Sequence, residues 1–242
     1  MHQESFTLDH WTEKDYRHLV RLLEQKAEEE YRQFSARLIP GGEPILGVRM
    51  PALRALGKQI SQGAWREYLT LCKTDTFEEI VLQGIVIGLA PVCMEELRDL
   101  TDGYVPLITN WAACDYFCCG LKRVKKYRED FLPKIQEYLV SENPWAKRTG
   151  LVLLRSHYVT EAYAEKIPLW AERSVCGHYY VQMAHAWLLA ECYTKFPQQT
   201  YCYLQNCRLE ADILNKMVQK IRDSYRVSGE WKEKATAFRR KL

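Results

Sequence analysis

With 242 residues, 47% hydrophobic and 27% charged, the chain can bury a large core, and its mixed polarity excludes an intrinsically disordered polymer. No apolar run approaches the roughly 18 to 20 residues that cross a bilayer, and the opening MHQESFTLDHW carries neither a basic nor an apolar leader segment, so a cytoplasmic protein is expected. A formal charge of +3 is too small to assign a polyanionic partner, and nine cysteines, an odd number without an export signal, predict reduced thiols in place of a disulfide framework.

Alternating β-branched runs are missing, and apolar residues recur at three- and four-residue spacing between Gly and Pro breaks, which predicts an all-α class. From Trp11 to about Phe34, Leu19, Leu22, Leu23, Ala27 and Tyr31 form one apolar stripe while the acidic run at 28–30 faces outward, so a long N-terminal helical region is expected. Pro40, Gly41, Gly42 and Pro44 then break the chain, and Pro51, whose φ suits a first turn, restarts it as a helix of about twelve residues. Further helices are predicted around 64–73, 76–89, 93–102, 105–122, 127–140, 144–157, 160–172, 177–194, 198–206, 210–224 and 229–240.

Four of these segments, FEEIVLQGIVIGLA, ITNWAACDYFCCGL, NPWAKRTGLVLLRSHY and YYVQMAHAWLLAECY, are more apolar than their neighbours and start about 32 to 35 residues apart, each followed by a more polar helix. That spacing predicts a single domain, 1–242, of stacked antiparallel helix pairs whose inner helices converge on an elongated ligand.

Polar and aromatic residues on the inner helices are the candidates for chemistry. Trp111 and Asp115 are four apart and share a helix face; Arg148 stands one turn into the next inner helix, after Trp145, and Trp187 is central in the last. A carboxylate beside indole faces can stabilise the positive charge that builds on a sugar as a glycosidic bond breaks, and a guanidinium fork can hold a phosphate. The same residues also fit plain packing: tryptophans in a core, and Asp115 with Arg148 as an interhelical ion pair. Cys114, Cys118 and Cys119 lack a second ligand pair at useful spacing, so no metal is expected.

In this order and at these separations, GVRMPALRALGK at 47–58, NWAACD at 110–115, PWAKR at 144–148 and AWLLAECY at 186–193 resemble the AlkD-type family of DNA alkylation repair proteins. The resemblance spans roughly residues 15–225. It implies a right-handed superhelix of HEAT-like repeats and a cofactor-free DNA glycosylase that hydrolyses the N-glycosidic bond of positively charged N3- and N7-alkylated purines in duplex DNA. It further implies that Asp115 is the catalytic carboxylate, that Trp111 and Trp187 contact the sugar, and that Arg148 binds phosphate. The chain departs from the family pattern after Trp187, where Leu188, Leu189, Ala190 and Glu191 stand in place of a basic residue, and in the cysteine-rich NWAACDYFCC.

Basic clusters at 122–128 and 239–241 suit phosphate contact or an ordinary solvated face, and Arg49, Arg54, Lys122, Lys147, Arg155 and Lys195 are the individual candidates for DNA backbone. Two other uses of the scaffold stay open: a DNA-binding protein without catalysis that reads distorted or branched duplexes, and a protein-interaction scaffold. A Cys114 nucleophile has no activating motif, since His185 lies on a separate helix and reads as a core or surface histidine. A repeat stack with a polar first helix and a basic last one predicts a monomer.

Overall fold

The computed structural model describes residues 5–241, and every regular element among them is helical: fourteen α-helices joined by loops and four short 3-10 turns. Among the described residues no helix is long and apolar enough to cross a membrane. The cysteines form no disulfide. Two units, Met1–Arg123 and Val124–Leu242, divide the chain within the 3-10 turn Lys122–Lys125, and each has its own set of stacked helices.

In the first unit the helices are α1 Glu13–Gln25, α2 Glu29–Leu38, α3 Met50–Ile60, α4 Trp65–Leu71, α5 Phe77–Leu89, α6 Met94–Tyr104 and α7 Trp111–Gly120. A capping box starts α1: the Thr12 hydroxyl accepts from the Asp15 N–H, and the Asp15 carboxylate accepts from the Thr12 N–H at 3.0 Å. The expected long N-terminal helical region is two helices, with a break at 26–28. Its apolar stripe is continuous, but the Glu28 N–H donates to the Gly47 carbonyl at 3.0 Å, outside the helix, so the i to i−4 ladder ends and α2 begins afresh. Gly47 is suited to that junction, since its φ is +99° and a Cβ there would lie 2.6 Å from the Glu28 carbonyl oxygen.

α3 packs on α5 and α5 on α7. The link between this stack and the 39–49 loop is Glu78, 1% exposed at the start of α5, whose carboxylate accepts from the N–H groups of Leu46, Gly47 and Val48 at 2.9, 2.7 and 3.0 Å. A buried carboxylate with three N–H donors replaces the hydration it loses, and it fixes the loop that leads into α3. One residue on, buried Glu79 accepts from the Tyr16 hydroxyl of α1 and from the Thr76 hydroxyl at 2.8 Å, tying α1 to the same helix end.

The second unit holds α8 Arg128–Val140, α9 Pro144–His157, α10 Lys166–Ala171, α11 Tyr179–Lys195, α12 Pro197–Asn206, α13 Ala211–Asp223 and α14 Gly229–Thr236. α9, α11 and α13 stack in sequence, with α8 against α9, α12 against α11 and α14 against α13. α11 is apolar around most of its circumference because neighbours cover it on several sides: Leu189 and Tyr193 meet Ile213, Met217 and Ile221 in one buried cluster. Each fully buried leucine of this kind contributes roughly 1.5–3 kcal/mol.

The four apolar segments picked out in the sequence are α5, α7, α9 and α11; a more polar helix follows α5, α7 and α11 as expected, whereas the short α10 after α9, KIPLWA, is largely apolar. Two helix predictions change. The segment 105–122 becomes a 3-10 turn at Val105–Leu107 followed by α7, because Pro106 and the Asn110 cap interrupt it, and 160–172 contains only the short α10 between two 3-10 turns.

Candidate functional site

Trp111 is the first residue of α7, and the Asn110 side chain caps the helix by accepting from the Ala113 N–H at 2.9 Å. The half-buried indole is pinned through its ring nitrogen, which donates to the Leu38 carbonyl at the end of α2 at 3.0 Å. Asp115, also half-buried, follows one turn later on the same face. Tyr116 sits beside it: burial, Tyr31 and Asp115 push its hydroxyl pKa up against the opposing charge of Arg54, so these four groups share one neighbourhood. The Thr109 hydroxyl donates to Glu43 at 2.7 Å, so the 39–49 loop is bound to the start of α7 at a second point.

The cations proposed for this unit are differently placed. Arg49 is spoken for by Glu28, through Nε at 2.8 Å and Nη2 at 2.7 Å, and its guanidinium lies 4.9 Å from the centre of the Tyr31 ring. Arg54 and Lys122 are exposed. Within the central basic run, Arg123 donates to the Val92 carbonyl and Arg128 to that of His157 at 2.5 Å, so both tie down backbone carbonyls as well as carrying charge. Arg240 in the C-terminal run does the same, donating to the Leu209 carbonyl at 3.0 Å.

In the second unit, Asn143 caps α9 by accepting from the Trp145 N–H at 2.9 Å, which sets Arg148 in the second turn. Arg148 is 4% exposed and donates to the Tyr180 carbonyl at 2.6 Å, with its guanidinium 6.0 Å from that tyrosine's ring. Tyr180 stacks in turn on Trp145 at 5.5 Å, so an aromatic pair walls one side of the arginine. Lys147, half-buried, lies one residue before it.

Trp187 is half-buried on α11, and no cation follows it in the next turn of its own helix. Two arrive from the flanking helices instead. Arg155 of α9 places its guanidinium 3.5 Å from the centre of the Trp187 ring, and Lys220 of α13 its ammonium at 5.8 Å. Glu191, one turn after Trp187 in the stretch that departs from the pattern by lacking a basic residue, is held by Arg226 at 2.7 Å and by Lys195 at 3.6 Å; Arg226, before all else, keeps its carboxyl below the usual range. Lys195 also reaches the Val159 carbonyl at 3.4 Å.

The structure thus brings Trp111 and Asp115 onto one face of the first unit, and gathers Arg148, Arg155 and Trp187 on the stacked helices of the second. Sequence reasoning missed Lys220 altogether. Its only signal there is a lysine on a helix adjacent to α11, and contact across helices is not encoded in either helix's own periodicity. Burial accounts for the other candidates for reactivity. Cys114, weighed above as a nucleophile, is fully buried beside Cys118, whose thiol pKa is raised by desolvation, and fully buried His185 is held neutral, its pKa lowered by burial to about 4. None of the three is poised as a nucleophile or base near neutral pH.

No curated protein is similar enough to the chain to add a named relative. The family described as DNA alkylation repair enzyme matches residues 19–222, most of the length, and the chain belongs to that family.

Proposed function

We propose that the protein is a monofunctional DNA glycosylase that removes positively charged N3- and N7-alkylated purines from duplex DNA. The observation that carries this reading is the pairing, on one face of α7, of the half-buried Asp115 carboxylate with an indole held in place by its ring nitrogen. Family membership supports the substrate class, since alkylation damage to purines creates the cationic base that this chemistry needs.

An N3- or N7-alkylated purine already carries a positive charge and needs no general acid to leave. As the C1′–N bond lengthens, the electron pair departs with the base, which becomes neutral, and positive charge moves to the sugar. Asp115 stabilises that oxocarbenium-like transition state and orients a water for attack at C1′; the water's proton passes to the carboxylate or to solvent, leaving an abasic site. Trp111 packs an apolar, electron-rich face against the deoxyribose. Trp187 does the same for the sugar at the backbone contact, while Arg148, with Tyr180 and Trp145 fixing its fork, binds phosphate. Lys122, Arg54 and Lys147 add phosphate contacts; Arg49 contributes only after parting from Glu28. The protein acts as a monomer and without a cofactor.

The direct test is a time course on methylated duplex DNA with a chelator present. Release of free 7-methylguanine and 3-methyladenine, matched by alkali-labile abasic sites in equal amount, is the expected result. Duplex binding without base release would overturn the enzyme reading in favour of a DNA-binding protein.

A further inference from the structure

The cations around Trp187 are not equivalent. On α13, Lys216 is compensated by Asp212 at 4.0 Å, and beyond the helix Arg226 is compensated by Glu191 at 2.7 Å. Lys220, one turn after Lys216, makes no ion pair among the described residues; the nearby Asp223 instead accepts from the Gln219 amide at 2.9 Å. Lys220 is nevertheless half-buried. Burial first, then the charges of Arg148 and Arg155, push its pKa below the ordinary lysine value. Arg155 and Lys220, from two helices, therefore meet at one indole, with Arg148 close enough to act on Lys220 and Asp223 offsetting part of that repulsion.

A cleft of about 310 Å³ opens at the same place, lined by Trp187, Glu191, Thr194, Lys220, Asp223 and Arg226 among others. It is small for a nucleobase with its sugar and matches a single phosphodiester group; of its two carboxylates, Glu191 is already held by Arg226 and Asp223 accepts from Gln219. Resting on the proposed action on duplex DNA, we infer that Lys220, together with Arg155, clamps one backbone phosphodiester against the edge of Trp187. The clamp makes Lys220 a positioning residue, set on a different helix from Trp187, that holds the strand while the chemistry proceeds elsewhere.

The test is binding of a fluorescent duplex carrying one tetrahydrofuran abasic analogue, measured over a range of salt for wild type, Lys220→Met and Lys220→Arg. The clamp predicts roughly five- to tenfold weaker binding for K220M, a log Kd against log salt slope smaller by about one, and near-complete rescue in K220R. A set of duplexes with single neutral methylphosphonates identifies the contact: wild type loses affinity at one phosphate to which K220M is indifferent. Wild-type affinity and slope in K220M, or equal sensitivity of both proteins at every phosphate, would overturn the clamp. Loss without K220R rescue, with an unchanged thermal melt, would overturn it too, because a phosphate accepts either cation. Base release measured in parallel separates the two claims. A Lys220-dependent slope without base release removes the glycosylase and leaves the clamp; base release with an unaltered slope does the reverse.

Discussion

Trp111 and Trp187 are both half-buried indoles on apolar helices, one in each unit, yet they sit in opposite electrostatic company. Trp111 has a carboxylate one turn away and a ring nitrogen tied to a backbone carbonyl, and Arg49 of its unit is neutralised by Glu28. Trp187 lies under one guanidinium and within reach of an ammonium, while Glu191, one turn on in the same helix, is held by other cations. One residue type therefore serves two surroundings: the first suits developing positive charge on a sugar, the second the standing negative charge of a phosphate.

The largest expected effect comes from removing the brace of the first surroundings. Glu78→Ala leaves the Leu46, Gly47 and Val48 N–H groups of the 39–49 loop, two of them buried, without their acceptor, and should cost about 4 kcal/mol in urea unfolding. Base release should fall further than DNA affinity, because the loop and the end of α2 set Trp111 while the cations of the second unit are untouched.

Acid should act on the other unit. His185 has its pKa lowered to about 4 by burial, so the neutral form is the one the fold accepts. The unfolded chain takes up a proton below about 6.5, the folded chain only near 4; stability from this group is whole above pH 6.5 and is lost as pH falls toward 4, up to about 3 kcal/mol. Unfolding free energies measured at pH 7.5 and 5, and limited proteolysis at pH 5, should place the first cuts in the second unit, and His185→Leu should flatten the difference.

Two smaller changes sharpen the contrast. Arg155→Met should weaken duplex binding roughly fivefold and reduce its salt slope, with base release at saturating DNA little changed, as read from kcat against Kd. Trp111→Phe loses the bond to the Leu38 carbonyl, worth about 1 kcal/mol of stability. Its signature is a lower rate of base release at unchanged affinity.

The sequence carried the helices well because their evidence is local. Asn110 and Asn143, read only as parts of motifs, are the side-chain caps that start α7 and α9, and so fix where Trp111 and Arg148 stand in the turn. What escaped depends on partners far along the chain. A continuous apolar stripe hid the break at 26–28, since the cause is a carbonyl at Gly47. Arg49 read as a phosphate contact because Glu28 is 21 residues away, and the organising role of Glu78 needs loop N–H groups that no pattern displays. Lys220 belongs to the same class: α13 reveals its own faces, whereas its place beside Trp187 follows from how α11 and α13 stack.

The central claim is that the Asp115 carboxylate does the chemistry and the cations of the second unit do the holding. Its most direct test is single-turnover release of 7-methylguanine from methylated duplex by wild type and Asp115→Asn, with affinity for an abasic-analogue duplex measured on the same samples. The account predicts that Asp115→Asn loses base release by at least about a hundredfold while its Kd stays within about twofold of wild type. Equal release by the two proteins would contradict it.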